Sequence, residues 1–466
     1  MRTAPARCER PHPARAARAR RRAGGRHRRA RLRPGRGAAA RHHRRRRLPE
    51  PAARPAARPE QPRRRDHRLL PRRPRGEQHH RRRGPDPELG VDGPLLGPTL
   101  RARRGESVRV EFRNELDEAT TLHWHGMHLP AAADGGPHQP VAPGAGWAPS
   151  WRVRQPAATL WYHPHPHGAT ERHVYRGLGG LFLIDDDEEA ALALPREYGV
   201  DDIPVIVQDK TFGPVGRFAE GARTEIGMLG STILVNGTAE PVLTVRTRLV
   251  RLRLINASTA RCYAFGFAAD RRFALIATDG GLLGAPVEST RILLSPGERA
   301  EIVVPMAAGE TAVLRSFPHD LGVTPTVARQ SGAADTLDIL LLRAAPDLRA
   351  SAPLPDRLAW MEPLTAPGAP VTRRMELRDF LINGRLMDPH RRAATAAAAR
   401  RVEGHRLPAP DVRFRLALRF ADYADPAVPY MYHYHLLWHE DIGMMGQFVV
   451  VEPGTERAVL NRAHGH

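Results

Sequence analysis

The stretch MYHYHLLWHEDIGMM, residues 431–445, sets His433, His435 and His439 close together and follows them with Met444. Two further His-x-His pairs precede it: His123/His125 in HWHG and His163/His165 in WYHPHPHG. Imidazole binds copper, zinc, iron and nickel, and thioether sulfur is a soft ligand suited to copper. A hydrolytic zinc centre usually adds a carboxylate or third histidine at close spacing and keeps one position open for water. Here six histidines come from separated segments with methionine beside one of them, which favours a multinuclear copper centre over zinc. His167 extends the second pair, either as a solvated residue or as one that supports a ligand.

On a strand, residues i and i+2 share a face, so each pair would present two imidazoles together. By the same parity, residue 434 points away from its two flanking histidines. The chain reads as all-β: short alternating or β-branched runs (SVRVEFRN, LTVRTRLVRLRLIN, RILLSPGERAEIVV, GQFVVVEPG) recur between Gly, Pro and Asp turn signals. That spacing suits sandwiches or barrels. Internal similarity adds order. GPTLRARRGESVRVEFRNEL resembles EPVLTVRTRLVRLRLINAS, and LING at 381–384 resembles the end of ILVNG at 233–237. Tyr162, His163 and His165 align with Tyr432, His433 and His435, while Gly177, Gly180 and Phe182 align with Gly443, Gly446 and Phe448. These repeats, with acidic or Pro-rich linkers between them, place domains at 84–186, 203–344 and 373–454. The alanine-rich run AATAAAARR, within the last of these, favours a short helix.

Charge is unevenly spread. The formal net charge is +22, but residues 1–83 hold 31 of 72 basic and 5 of 50 acidic side chains, a net of +26. The remainder is mildly acidic, at −4. The Arg/Pro-rich extension 1–83 lacks apolar periodicity and is expected to be disordered. Three readings suit its composition: a basic arm for nucleic-acid phosphates, an export leader, or a GC-rich frame read out of register. RRRR at 44–47 resembles a twin-arginine leader, but no apolar stretch follows it. No window is apolar enough for a membrane span. Cys8 and Cys262 are the two cysteines, so the globular part can form no internal disulfide and no thiolate zinc site.

HWHG, WYHPHPHG followed by HVYRGLGGLFLID, and HxHxxxHxxxxM with HEDxGMMGQF resemble the multicopper oxidases. The likeness is to their three-domain laccase-like group, which includes copper-efflux and bilirubin-oxidase-like enzymes. It covers most of 95–345 and 414–452. It implies three cupredoxin-like Greek-key sandwiches, a type 1 copper in the third, and a trinuclear cluster between the first and third. By position, His123 would bind type 2 copper, and His125, His163, His165, His433 and His435 the type 3 pair. His439 and Met444 would be type 1 ligands, with Asp134 and Glu440 as proton-relaying carboxylates. The implied partners are dioxygen and a small electron donor (a phenol, an aromatic amine or cuprous ion), and the implied location is periplasmic or extracellular. The sequence departs from the family at two places. Tyr434 stands where the family has its type 1 cysteine, and the upstream HPxHxH motif has no counterpart, only His390 and His405. The third domain is correspondingly short. Impaired oxidase activity is therefore expected, and the alternative is a non-catalytic copper-binding or sequestering protein.

Overall fold

The computed structural model describes residues 89–93, 95–213, 216–220, 223–360, 375–387, 420, 422–452 and 455, and the strand backbone at 64–69, 71–72 and 393–396. These residues are mostly strand, arranged in cupredoxin-like units. In the first, Ser107–Arg113 pairs with Arg64–Leu69, Gly146–Trp147 and Ser150–Arg152. The facing sheet runs Leu100–Arg103, Gly180–Asp185, Ala158–His163, His123–His125. SVRVEFR alternates as a half-buried strand should: Val108, Val110 and Phe112 enter a core with Trp124, Leu160, Tyr162 and Phe182. Arg64–Leu69, from the stretch assigned to the extension, pairs in parallel with Ser107–Arg113 and adds a strand to the first sheet. Residues 1–63 lie outside the described part.

The second unit packs a seven-stranded sheet on a five-stranded one. Its central strand, Leu249–Asn256, is buried on both faces. Val250, Leu252 and Leu254 fill the sandwich core, while Arg251 and Arg253 turn toward the first unit. There they meet Glu189, Asp202, Glu301 and Thr159 in a buried ionic network. An apolar seam with Trp161, Leu181, Leu183, Ile206 and Ile255 adjoins the same units.

In the third unit Met445–Val451 pairs antiparallel with Asp425–His433 and parallel with Ala393–Ala396. The helix expected over AATAAAARR is thus a strand over its first four residues, and the rest lies outside the described residues. Met445–Val451 presents an edge whose backbone groups need partners. Helix propensities differ by under ~1 kcal/mol per residue, so a tertiary edge of this kind overrides them. The repeats seen in the sequence reappear as geometry. Tyr162 faces Gly180 across one ladder, and Tyr432 faces Gly446 across the other. Gly177 and Gly443 both take left-handed φ, +118° and +100°, just beyond the short helices Thr170–Arg176 and Leu437–Asp441. Asn236-Gly237 and Asn383-Gly384 form the same positive-φ hairpin turn.

Candidate metal centre

His123 lies directly opposite His163 in the antiparallel register, and His125 opposite Trp161. One face of two neighbouring strands therefore carries His123, His125 and His163 together. His165 follows as the strand ends, its amide donating to the Thr121 hydroxyl at 2.6 Å. The third unit contributes His433, the last residue of its strand, and His435 in the bend after it.

The six imidazoles converge. His125 Nδ1 is 3.2 Å from His163 Nε2 and 3.2 Å from His435 Nε2, and His165 Nε2 is 3.3 Å from His433 Nε2. Two nitrogens bound to one ion at roughly 2.0–2.1 Å and a tetrahedral angle stand about 3.3 Å apart. The spacing suits ligands of a shared ion and equally suits N–H···N hydrogen bonds between the rings. His123, His125 and His163 form one group able to hold a metal, and His165, His433 and Glu440 form another.

Carboxylates back these rings. Glu440 is fully buried, with Oε1 3.0 Å from His165 Nδ1 and Oε2 2.9 Å from His433 Nδ1. Each oxygen lies within hydrogen-bond distance of its ring nitrogen, so one carboxylate bears on both imidazoles. These contacts leave each Nε2 facing the cluster interior. Burial and the neighbouring imidazoles hold His165 well below the usual histidine pKa. Burial is the largest single influence on His433 and lowers it, but the Glu440 charge and hydrogen bond, the Tyr434 backbone and the Asp134 charge together exceed it, and the net shift is upward. Asp134 sits beside His123: its carbonyl is 2.9 Å and its Oδ1 3.3 Å from Nδ1.

Across the third-unit strand lies a second, different pocket. Tyr434, just past the end of the strand, stacks its ring on His439 at 5.3 Å between centroids and 14° between planes. His439 Nε2 hydrogen-bonds the Glu225 carbonyl at 2.7 Å, and Phe380 packs edge-on against the ring at 4.7 Å. Burial lowers the His439 pKa against that hydrogen bond and pushes the Tyr434 phenol up to about 12. Met444 is buried, and its amide donates to the His439 carbonyl at 2.9 Å.

Family models described as multicopper oxidase match residues 76–189 and 410–454. A multicopper oxidase of Staphylococcus haemolyticus is 34% identical over 380 residues, 78% of this chain and 83% of the relative. The chain belongs to the multicopper oxidase family. The cell division protein FtsP of Salmonella typhimurium is 38% identical over 319 residues, 66% of this chain and 67% of the relative. A laccase-like multicopper oxidase of Ochrobactrum sp. superposes with a TM-score of 0.70 at 29% identity, covering 84% of this chain and 99% of that one.

Family membership implies copper, and the two pockets fit it differently. The imidazole cluster has the right donors at the right spacing. The Tyr434–His439–Met444 pocket does not fit a blue copper site: it has a protonated phenol in place of a thiolate, and the phenol's ring lies flat on the histidine. His390 and His405 lie outside the described residues. His167 is exposed and stands apart from the ligand groups. Sequence reasoning passed over Trp161, which stacks on His163 at 4.2 Å. It also passed over Asp441, whose carboxylate accepts the Thr170 and Glu171 amides at 2.8 and 2.9 Å. That bond ties the third-unit helix to the first-unit helix. Burial and then Glu440 raise Asp441 to about 7, against those two amides. The alternation around WYH and the carboxylate pair in HEDIG were the available signals.

Proposed function

We propose that this chain is a copper-dependent oxidoreductase of the multicopper oxidase type whose coupled turnover is impaired. His123 holds the type 2 position, and His125, His163, His165, His433 and His435 hold the type 3 pair. His439 and Met444 are what remains of a type 1 site. Bound copper at the cluster would supply the one-electron chemistry that reduces dioxygen to water, with a phenol, an aromatic amine or cuprous ion as donor. The chain's own side chains supply the rest. Glu440 orients His165 and His433, Asp134 orients His123, and the two carboxylates are placed to hold protons beside the cluster. The domains are those spanning 84–186, 203–344 and 373–454, the first with its added N-terminal strand, and the working location is periplasmic or extracellular.

The observation that carries the impairment is Tyr434 stacked on His439. A buried phenol held near 12 stays protonated at neutral pH and cannot make the covalent thiolate bond through which electrons leave a blue site. The same observation favours a second reading, a non-catalytic copper-binding protein, and the relative whose printed role is cell division is consistent with it. Copper reconstitution followed by oxygen-electrode measurement separates the two. The oxidoreductase reading expects bound copper without intense blue absorbance, and slow but donor-dependent oxygen uptake. Copper binding with no uptake selects the binding protein. Fast phenol oxidation would overturn the impairment, and failure to retain any copper after dialysis would overturn both.

A further inference from the structure

One wall of the histidine cluster comes from the unit that supplies none of its histidines. The turn Ser295–Glu298 links two sheets of the second sandwich, and Gly297 sits in it with φ +85°. A Cβ on Gly297 would lie 2.8 Å from Cε1 and 3.0 Å from both Nδ1 and Nε2 of His435. Three nearly equal distances place that position over the imidazole face rather than at its edge. The turn cannot retreat freely. Gly297 N donates to the Asn256 carbonyl at 2.8 Å, and its own carbonyl accepts from Arg299 Nη1 at 3.2 Å. The Glu298 carboxylate accepts the Ser295 amide at 2.6 Å. Arg299 is itself buried and paired with Asp279 at 3.0 Å.

We propose that Gly297 is a positioning residue for His435. The pinned glycine leaves the space beside the ring face that any side chain would fill, and so lets Nε2 point at His125 Nδ1, 3.2 Å away. A side chain at 297 would turn the ring and open that approach. The second unit thereby sets the geometry of a site to which it gives no ligand. The consequence for metal rests on the copper-cluster reading, but the steric claim does not.

Gly309 provides the control. It shares the left-handed backbone, φ +70°, but a Cβ there meets nothing within 4 Å. Gly297→Ala and Gly309→Ala are compared, each alone and combined with His435→Ala, by thermal unfolding of the apo protein and by copper titration with electron paramagnetic resonance. Gly297→Ala should lower Tm by more than Gly309→Ala does, and the excess should vanish without the His435 ring. On loading, Gly297→Ala should weaken copper affinity roughly 10-fold or more and alter the copper signal, while Gly309→Ala leaves both unchanged. If Gly297→Ala alone fails to fold, the Gly297→Ala/His435→Ala pair should fold. An excess Tm loss that persists in the His435→Ala background, or a pair that also fails to fold, overturns the proposal. So does copper binding that Gly297→Ala leaves unmoved. A parent chain that binds no copper sinks the copper reading alone, because the apo unfolding comparison still decides the Gly297–His435 contact.

Discussion

Glu440 makes the strongest single-residue case at the cluster, because one buried carboxylate serves two rings from opposite units. Replacing it with Gln keeps the shape but turns one carboxylate oxygen into an N–H donor that faces an imidazole N–H. Metal-supporting contacts of this kind are worth about 10–100-fold in affinity. Glu440→Gln should therefore weaken copper binding by that much, read by competition with a chelator of known affinity. Unchanged affinity would mean that Glu440 orients neither ring. Lys210, the chain's one lysine, makes a different residue-level case. It is buried beside Tyr175 and Phe218, and burial pulls its amine down to about 7. Its unfolded pKa is near 10.4, so between about 7 and 10.4 the unfolded chain holds the extra proton. The stability tied to Lys210 thus rises with pH across that window and is at its lowest below about 7. Lys210→Met should raise the unfolding midpoint at pH 7 and flatten that alkaline rise. A midpoint equally pH-dependent in both proteins would count against the buried amine. The candidate ligands were legible at this scale because three His-x-His pairs recur, two of them at equivalent places in repeated units. Lys210 was not, since nothing in its neighbours announces burial.

At the scale of elements, the repeated strand and turn is what makes the site. Tyr432 lies against Gly446 so closely that a Cβ there would come 2.2 Å from Cζ of the ring. The Tyr162–Gly180 pair is equally tight, at 2.3 Å from the hydroxyl. Each tyrosine precedes a cluster histidine by one residue, so the glycine sets how the histidine leaves its strand. Gly446→Ala forces Tyr432 aside at an overpacking cost of about 1–3 kcal/mol. The variant should lower the midpoint of chemical unfolding and loosen copper at the His433 side of the cluster. A variant of wild-type stability would show that the ring relaxes freely. The alignment of the two repeats paired these glycines in advance, though not the left-handed φ that Gly177 and Gly443 share. Alanine content foretold the opposite of what Ala393–Ala396 does, because local propensity says nothing about an open strand edge elsewhere in the chain.

For the whole molecule, the question is what holds the first unit against the second while the cluster bridges to the third. Glu301 accepts from the Thr159 hydroxyl at 2.6 Å, on the strand that ends at His163, and it pairs with Arg251 and with Arg253, the latter at 2.9 Å. Arg251 and Arg253 alternate with core residues along Leu249–Asn256, and alternating charges of this kind ordinarily line a solvated face. Only the presence of a neighbouring unit turns that face inward. Burial by itself would raise the Glu301 pKa, but the two guanidinium groups outweigh it and hold the carboxyl near 2. In the unfolded chain the group titrates near 4.3. Between about 2 and 4.3 the unfolded state carries the extra proton, so the stability from Glu301 is complete above about 4.3 and is lost as pH falls through 2. Glu301→Gln leaves two buried cations short of a charge, which costs about 3–5 kcal/mol at neutral pH. It should also remove part of the acid limb, making unfolding midpoints less steep in pH between 4 and 2. Urea unfolding of both proteins across that range tests both effects. A Gln variant that matches the parent at pH 7, with the same acid slope, would show that the seam is held by its apolar residues and that the arginines are carried without being needed.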